Sequence, residues 1–362
     1  GKNGYRGTAN LVATGANVGD GALEILADGA RATPDFDGLS LHARDLNAIG
    51  AARLTVGGNL QSTYGTPTGG ANLSNYVDVG GETGRIVLRE GAILKAPEVF
   101  LVAASTTGGI SIEAGAGINT IGMGKAPYDS TNGYVYRPGA VSVVAASNGW
   151  LNMLAPLQQD DPTLPMGAGP IAIGACGTAV LCQGTTELYS EGTLLAATRS
   201  SFDMSDRVRY GTRNLVLAVG TVNAGSSEDL ATAAARGALT AGLSLNQDLL
   251  DRLLRGDTAY GAPALERLVL TAAESVNFFG SVSLDTTNAA TGRSSLSNLV
   301  LSTPAIYGQG GAGDMARITT AKLTWAGLAG AAPAPVTGGR GTGSGRLAIN
   351  ADTIEFGYDP TS

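Results

Sequence analysis

A short phrase recurs along the chain and restricts its fold more than any other sequence feature. Each copy is a polar residue followed by three mainly aliphatic residues, and the copies fall at 53–56, 85–88, 214–217, 267–270, 298–301 and 346–349. Self-similarity at intervals of 20 to 50 residues is typical of solenoids, propellers and other repeat arrays. Such units stack because no single unit can bury its own apolar face.

The segments between these copies have the composition of short strands. VFLVAA at 99–104, GISIEAG at 109–115 and SVSLDT at 281–286 are bounded by Gly, Asn, Asp or Ser, and the 54 glycines among 362 residues provide many turns. The regular aromatic mark of a propeller and the frame of a leucine-rich repeat are both missing. We therefore predict an all-β fold, a right-handed parallel β-helix of about eleven coils with an axis of ~50 Å.

Uneven spacing of the copies predicts insertions between the coils. We expect β-helix coils over 1–225 with loop insertions at 122–139 and 155–184, a helical insertion at 226–262, and continuing coils over 263–362. Within the last part, 330–345 is rich in Gly and Pro and predicts a flexible excursion.

The helical insertion carries start and stop signals for two helices. Ser226 with Asp229 predicts one N-terminal cap, Ser244 with Gln247 matches a second, and Gly256 suits the C′ position. Five leucines keep helical spacing and predict an apolar face that packs on the solenoid flank: Leu245, Leu249, Leu250, Leu253 and Leu254.

The two cysteines, Cys176 and Cys182, are six residues apart. This spacing fits no usual zinc pattern, and no histidine lies near them. We therefore favour a short disulfide loop over two free thiols. A disulfide indicates an oxidising, extracytoplasmic location.

The segment GAPALERLVLTAAESVNFFGSVSLDT at 261–286, preceded by LLRGD and followed by NLVLSTPAIYGQG, resembles a family. It is similar to a module toward the C-terminal side of filamentous haemagglutinin-type large exoproteins of Gram-negative bacteria. The similarity is clearest over 210–362, and the coils LTVGGNL and GGISIEAG support it. These motifs identify a scaffold rather than an activity.

This resemblance implies a non-enzymatic β-helical stalk that is secreted or displayed on the bacterial surface. Its implied roles are adhesion, biofilm formation or contact-dependent delivery. The implied partners are an outer-membrane two-partner transporter during export and a host-cell receptor or glycan. The chain begins at Gly1 without a signal peptide, so we expect the export signal to lie upstream.

The alternative is a carbohydrate-active β-helix enzyme, a polysaccharide lyase or hydrolase. The lone histidine, His42, is followed by Ala and lacks the Gly-His-Gly segment of pectin hydrolases. The adjacent pair Asp160–Asp161 precedes a proline, where Asp commonly caps a turn, and Asp35 and Asp37 fit the same interpretation. We therefore expect no catalytic, cofactor-binding or metal-binding residues. A groove lined by three or more carboxylates would favour the enzyme.

The triplet Arg255, Gly256 and Asp257 spells RGD, which some adhesive proteins present to receptors. The same residues are ordinary at the end of a helix, and we favour that interpretation, with a receptor motif as the alternative. On this basis, replacing Asp257 should leave folding nearly unchanged.

Charge and hydropathy exclude two classes of partner. The net charge of −7 comes without a basic stripe, so we expect no nucleic-acid partner. No window approaches the ~18 apolar residues of a membrane span, so we expect none.

Overall fold

The computed structural model describes residues 7–64, 75–127, 130, 134–154, 168–176, 182–327 and 343–358. Short strands dominate these residues, so the chain belongs to the all-β class. The strands are β1 Thr8–Leu11, β2 Gly21–Leu26, β3 Leu39–His42, β4 Arg53–Val56, β5 Gly58–Tyr64, β6 Asn75–Gly81, β7 Thr83–Leu88, β8 Ile93–Leu94, β9 Glu98–Ala103, β10 Gly109–Ile112, β11 Gly117–Asn119, β12 Tyr134–Pro138, β13 Ser142–Ser147, β14 Ile171–Ile173, β15 Thr186–Tyr189, β16 Thr193–Thr198, β17 Phe202–Met204, β18 Val208–Gly211, β19 Asn214–Gly225, β20 Leu243–Asn246, β21 Arg267–Phe279, β22 Val282–Asp285, β23 Asn298–Ser302, β24 Ile306–Gly308, β25 Met315–Gly327 and β26 Arg346–Tyr358.

Helices are few among the described residues. They are α1 Ala43–Ala48, α2 Ser227–Ala235 and α3 Gln247–Leu253, with a 3-10 turn at Ala259–Gly261. The last two helices lie where the sequence predicted them. Strand β20 separates them, so the predicted helical insertion also contributes a strand to the sheet.

Most strands belong to three stacks, which we name A, B and C. Stack A contains, in spatial order, β1, β4, β9, β13, β16, the first half of β19, the first half of β21, β23 and the second halves of β25 and β26. At ~4.8 Å between neighbouring strands, this stack extends about 43 Å.

Stack B contains β3, β2, β7, β10, β14, β17, β20, the second halves of β19 and β21, and β24. Stack C contains β8, β11, β15 and β18, and further along β22 with the first halves of β25 and β26. Helix α3 contacts β22 and bonds to Tyr210 of β18, so it lies between the two parts of stack C.

The pairing is mixed rather than parallel throughout. β13 runs antiparallel to both β9 and β16, and β5 forms an antiparallel pair with β6. β13 follows β12, which pairs with β6 outside the three stacks. The sequence carries no signal for this reversal, since a strand's composition is the same in either direction.

The stacks explain the recurring phrase. The copies that begin at Asn214, Arg267 and Asn298 lie directly beside one another in stack A. The copy at Arg53 lies further along the same stack, next to Glu98. The copies at 85–88 and 346–349 lie in stacks B and C. Equal positions in neighbouring strands meet the same surroundings, and this favours the same residue types.

Most buried apolar side chains of the described residues fill two layers. The main core lies between the three stacks and takes in Leu54, Leu101, Ile112 and Leu270 among many others. A second cluster covers the other face of stack A, and its members include Phe100, Val102, Val143, Val216 and Val300. Part of stack A is therefore buried on both faces.

Each of the two predicted loop insertions contains a strand. The 122–139 segment includes β12, whose Tyr136 packs in the second cluster over stack A. The 155–184 segment includes β14, which joins stack B. Residues 155–167 and 177–181 lie outside the described residues, as does most of the excursion predicted at 330–345.

The helix caps confirm one prediction and correct another. Ser226 is the N-cap of α2, and its hydroxyl accepts a hydrogen bond from the Asp229 backbone at 3.0 Å. The N-cap of α3 is Asn246, whose side chain accepts from the Leu249 backbone at 2.9 Å, and not the predicted Ser244, which lies in β20. An amide oxygen directly before the first turn fills the cap position.

The prediction that the leucine face is covered is confirmed. Leu249, Leu250 and Leu253 of α3, together with Leu245 of β20 and Leu254, are buried in the main core. These leucines are buried more deeply than the predicted packing on the solenoid flank implies, because α3 lies between strands of stack C.

Candidate functional site

The end of α3 forms the rim of a surface groove that carries charged groups. The groove has a volume of about 690 Å³ and lies between β18 and the α3 C-terminus. Its lining residues are Val208, Arg209, Tyr210, Asp248, Asp251, Arg252, Arg255, Gly256, Asp257 and Thr258. It therefore contains the whole RGD triplet, three carboxylates and three guanidinium groups.

A second groove of about 510 Å³ lies beside the first. It is lined by Leu254, Arg255 and the 285–295 loop. Arg255 borders both grooves, and its side chain is 74% exposed. The two grooves thus meet at one arginine, which stands between them in contact with solvent.

Some of the charged side chains in the first groove are held by the protein. The Arg252 guanidinium donates to the Asp206 carbonyl at 2.6 Å, and Arg255 lies 3.9 Å from the Asp251 carboxylate. Within the described residues, the exposed side chains of Arg209 and Asp248 have no hydrogen-bonding or ionic partner. The groups available to a ligand are therefore Arg209 and Asp248, together with Arg255, whose side chain remains 74% exposed beside Asp251.

The RGD triplet is confirmed as part of a helix end. Gly256 follows the C-cap Leu254 by two residues, one later than the predicted C′ position, and has a φ of 62°. Its N–H donates to the Arg252 carbonyl at 3.0 Å, which satisfies one of the free carbonyls of the last turn. Glycine suits this position because a left-handed conformation costs it little.

Asp257 has a larger structural role than the sequence indicated. One carboxylate oxygen accepts from the Ala259 backbone at 2.8 Å, and the other accepts from the Tyr189 hydroxyl at 3.0 Å. Tyr189 is buried, and this burial together with the Asp257 carboxylate raises the pKa of its phenol. Asp257 therefore fixes the loop after α3 to stack C.

Close approach at Gly211 allows this attachment. A Cβ atom at Gly211 would lie 2.1 Å from the Asp257 carbonyl oxygen. Beyond the loop, Tyr260 packs edge-on against Tyr189 at 5.0 Å and donates to a Glu187 oxygen at 2.6 Å, although its ring remains largely exposed. The loop is thus built on two tyrosines that sequence reasoning did not single out.

The other acid-base candidates from the sequence lie apart from this groove. His42 is the N-cap residue of α1, and its Nε2 lies 2.9 Å from the Ala30 carbonyl oxygen. Asp35 lies in a surface turn at a φ of 59°, and Asp37 lies exposed in the loop that follows it. The pair Asp160–Asp161 lies outside the described residues.

The predicted disulfide is confirmed. Cys176 and Cys182 are bonded to each other, with a Cα–Cα distance of 5.5 Å. Arg207 donates to the Cys182 carbonyl at 3.1 Å and ties the loop to the β18 region. The bond therefore closes a short loop near stack C.

Two buried ionic clusters are further features that the sequence did not reveal. In the first, Arg89 joins Glu24 and Glu113, each at 2.8 Å. Burial alone would raise the pKa of Glu24, but hydrogen bonds from Thr33, Ser40 and Arg89 outweigh it and lower that pKa. All three charged groups are satisfied internally, as buried charges must be.

In the second cluster, Arg53 forms an ion pair with its stack A neighbour Glu98. The other Glu98 oxygen accepts from Ser147 at 2.7 Å, and Arg53 donates to the Tyr136 hydroxyl at 2.8 Å. These contacts join strands far apart in sequence and hold the β12 excursion against stack A. Both clusters therefore have a structural role.

The described residues contain no group of three or more His, Cys, Asp or Glu side chains arranged to hold a metal ion. Among the described helices, none has the length and apolar character needed to cross a membrane. Comparison with known proteins finds no family model, no curated protein and no solved structure that matches the chain.

Proposed function

We propose that this chain is a non-enzymatic, adhesive stalk segment of a secreted or surface-displayed large exoprotein of the filamentous haemagglutinin type. In this proposal its fold is a right-handed parallel β-helix with excursions. The observation that carries it is the regular order of the stacks. From β16 to β18 and again from β21 to β24 the chain visits them in the same cyclic order.

A stacked fold of this kind suits a stalk for a physical reason. Strands of neighbouring coils are hydrogen-bonded to each other within each stack. The assembly is therefore stiff along its axis and extends with each added coil. Two-partner export through an outer-membrane transporter belongs to the same proposal. It rests on the sequence resemblance, and the disulfide agrees with an extracytoplasmic location.

The contact surface in this proposal is the pair of grooves that meet at Arg255. Arg209 and Arg255 offer planar guanidinium groups suited to a carboxylate or sulfate on a receptor or glycan. In this proposal the RGD triplet is a helix end rather than the recognition element, since hydrogen bonds within the protein already engage both oxygens of Asp257.

A binding screen tests this surface. The wild type and the Arg209→Ala/Arg255→Ala variant are applied to arrays of glycans and host surface proteins. A matched control is Arg236→Ala, since Arg236 is an exposed arginine at the end of α2 and does not line either groove. We expect a ligand that the wild type and the control bind and the double variant loses. Equal binding by all three would refute this surface.

The alternative, a polysaccharide lyase or hydrolase, is favoured by one observation, the three carboxylates in the first groove. Asp257 is held by two hydrogen bonds, and Asp251 accepts from Gln247 at 2.8 Å. This leaves Asp248 as the free carboxylate in the groove. Release of reducing ends or of unsaturated products from a polysaccharide panel, abolished in Asp248→Asn, would establish the enzyme and overturn the stalk proposal.

A further inference from the structure

Stack C is interrupted at α3. Between β17 and β21, stack B contains two further strands, β20 and the second half of β19, whereas stack C contains α3 between β18 and β22. β18 is therefore the last strand of the ladder β8, β11, β15 and β18, and it pairs with β15 on one side only. The structure describes residues 182–327 without a gap, so the chain around this interruption is fully described.

The hydrogen-bonding pattern leaves backbone groups of β18 without a partner. The Ser190 N–H donates to the Gly211 carbonyl at 2.9 Å, so this carbonyl points toward β15. Successive residues of a strand point their backbone groups in opposite directions, so the N–H and C=O of Tyr210 and the C=O of Val208 point away from β15. Among the described residues, no partner for these three groups occurs. β18 thus presents an open edge to the interruption.

The edge of β22, on the other side of α3, is covered. The Gln247 side chain accepts from the Ser283 N–H at 2.9 Å and donates to the Ser283 carbonyl at 2.8 Å, as a paired strand would. Val208 and Tyr210 are buried, and a buried backbone group without a partner costs about as much free energy as a lost hydrogen bond. The open edge of β18 therefore needs partners from water or from a ligand.

The first groove lies along this open edge. Val208, Arg209 and Tyr210 form one wall, and residues of α3 form the other. α3 packs against β20 and β22, and it is bonded to β18 through the Tyr210 hydroxyl, which donates to the Leu253 carbonyl. The groove volume of about 690 Å³ is within the range of small-ligand pockets and is sufficient for a few residues of extended chain.

The charges of the groove indicate an acidic ligand. Arg209 of β18 and Arg255 after α3 are both exposed, and Asp248 is the free carboxylate. Two exposed guanidinium groups against one free carboxylate favour an acidic side chain, which a guanidinium can bind through two parallel hydrogen bonds. A residue beside Arg209 in an added strand points to the same side of the sheet as Arg209, whereas its two neighbours point toward the buried ring of Tyr210. The best-fitting segment therefore has an acidic residue between two small ones.

We propose that the first groove binds an extended acidic segment of a partner protein, which pairs with β18 as an added strand. The main chain of the segment accepts from the Tyr210 N–H and donates to the carbonyls of Val208 and Tyr210, and its acidic side chain lies beside Arg209. Addition of a peptide strand to an exposed sheet edge is a recurring mode of recognition. This inference rests on the contact surface proposed above, and it identifies the ligand there as a peptide rather than a glycan.

Amide hydrogen exchange tests the open edge without a ligand. In the free protein we expect the Tyr210 amide to exchange at least ~100-fold faster than the amides of Arg209 and Gly211, which point toward β15. NMR spectroscopy measures this exchange at single-residue resolution. Equal protection of the three amides at every protein concentration would mean that the edge is closed within the molecule, and it would overturn the proposal. Protection of Tyr210 that increases with protein concentration would assign the edge to a second copy of this chain and would overturn it as well.

A synthetic peptide tests the ligand. The probe is the acetylated and amidated peptide Thr-Thr-Val-Ala-Glu-Ala-Val-Thr-Thr, and its control has Gln in place of Glu. With three main-chain bonds and one ion pair, we expect a dissociation constant on the order of 100 µM by fluorescence anisotropy, and about tenfold weaker binding of the control. Arg209→Gln should bind both peptides equally weakly, whereas Arg236→Ala, the matched control variant, should bind as the wild type does. No binding of the probe at millimolar concentration overturns the proposal.

N-methylation of the probe peptide tests the main-chain pairing. An extended strand points alternate N–H groups toward β18, so methylating one alternate set of amides should abolish binding and methylating the other should leave it nearly unchanged. Equal losses for both sets would indicate binding by side chains alone and overturn the proposal. If the binding screen finds a ligand that depends on Arg209 and Arg255 and the probe does not bind, the contact surface stands and the peptide proposal fails. If neither a screened ligand nor the probe binds, both fail.

Discussion

Leu250→Ala tests whether α3 is held by the core rather than by its own helical propensity. Leu250 has no exposed surface and lies in the main core. With seven residues, α3 is shorter than the ~12 that an isolated helix needs to be even marginally stable. Its surroundings are strands that cannot move into a cavity without breaking their ladders. We therefore expect a loss near the middle of the usual range for a buried leucine, about 3 to 4 kcal/mol.

The assay is reversible urea unfolding, followed by far-ultraviolet circular dichroism and by tryptophan fluorescence. In a chain of this length, a loss of this size should also lower the unfolding temperature by at most about 8 °C. The matched control is Leu347→Ala in β26, where the leucine is 39% exposed and the loss should stay below about 1 kcal/mol. If the two variants lose the same stability, α3 is not a part of the core and the reasoning fails.

Three further predictions concern polar and covalent contacts. Glu24→Gln should destabilise the fold at neutral pH, because hydrogen bonds hold the folded-state pKa of Glu24 below its ordinary 4.5. In urea unfolding at a series of pH values, the difference in free energy of unfolding from the wild type should shrink as the pH falls below about 4.5. Replacing Cys176 and Cys182 by serine should cost about 2 kcal/mol in the same assay, and alkylation followed by mass spectrometry should find no free thiol in the unreduced wild type. Asp257→Ala should cost about 1 to 3 kcal/mol, because the buried Tyr189 hydroxyl loses its acceptor, whereas Asp257→Asn should retain most of that stability.

Three results would contradict these predictions on Glu24, the cysteines and Asp257. A constant difference between Glu24→Gln and the wild type down to pH 2 would mean that ionisation of Glu24 does not contribute. Two alkylated thiols in the unreduced wild type would exclude the disulfide. Equal stability of Asp257→Ala and the wild type would show that Asp257 is a helix-end residue that folding does not require.

Local patterns in the sequence predicted local structure well. Copies of the recurring phrase are strands, and Ser226 caps α2 because its hydroxyl needs only a backbone N–H three residues away. Leucines at helical spacing predicted the buried face of α3. Each of these features depends on neighbours within a few positions of the chain, so composition and spacing are sufficient to find them.

The sequence by itself therefore determined the all-β class, the two later helices, the leucine face and the cysteine pairing. Only the tertiary structure decided that β13 runs antiparallel in stack A, that Arg53 meets Glu98 and Tyr136, and that the α3 end forms a groove with β18. The physical reason is that these contacts join residues roughly 40 to 85 positions apart. Whether such residues meet depends on how many coils the intervening chain completes and on the direction in which each excursion returns, and neither is encoded in the short-range pattern of residues.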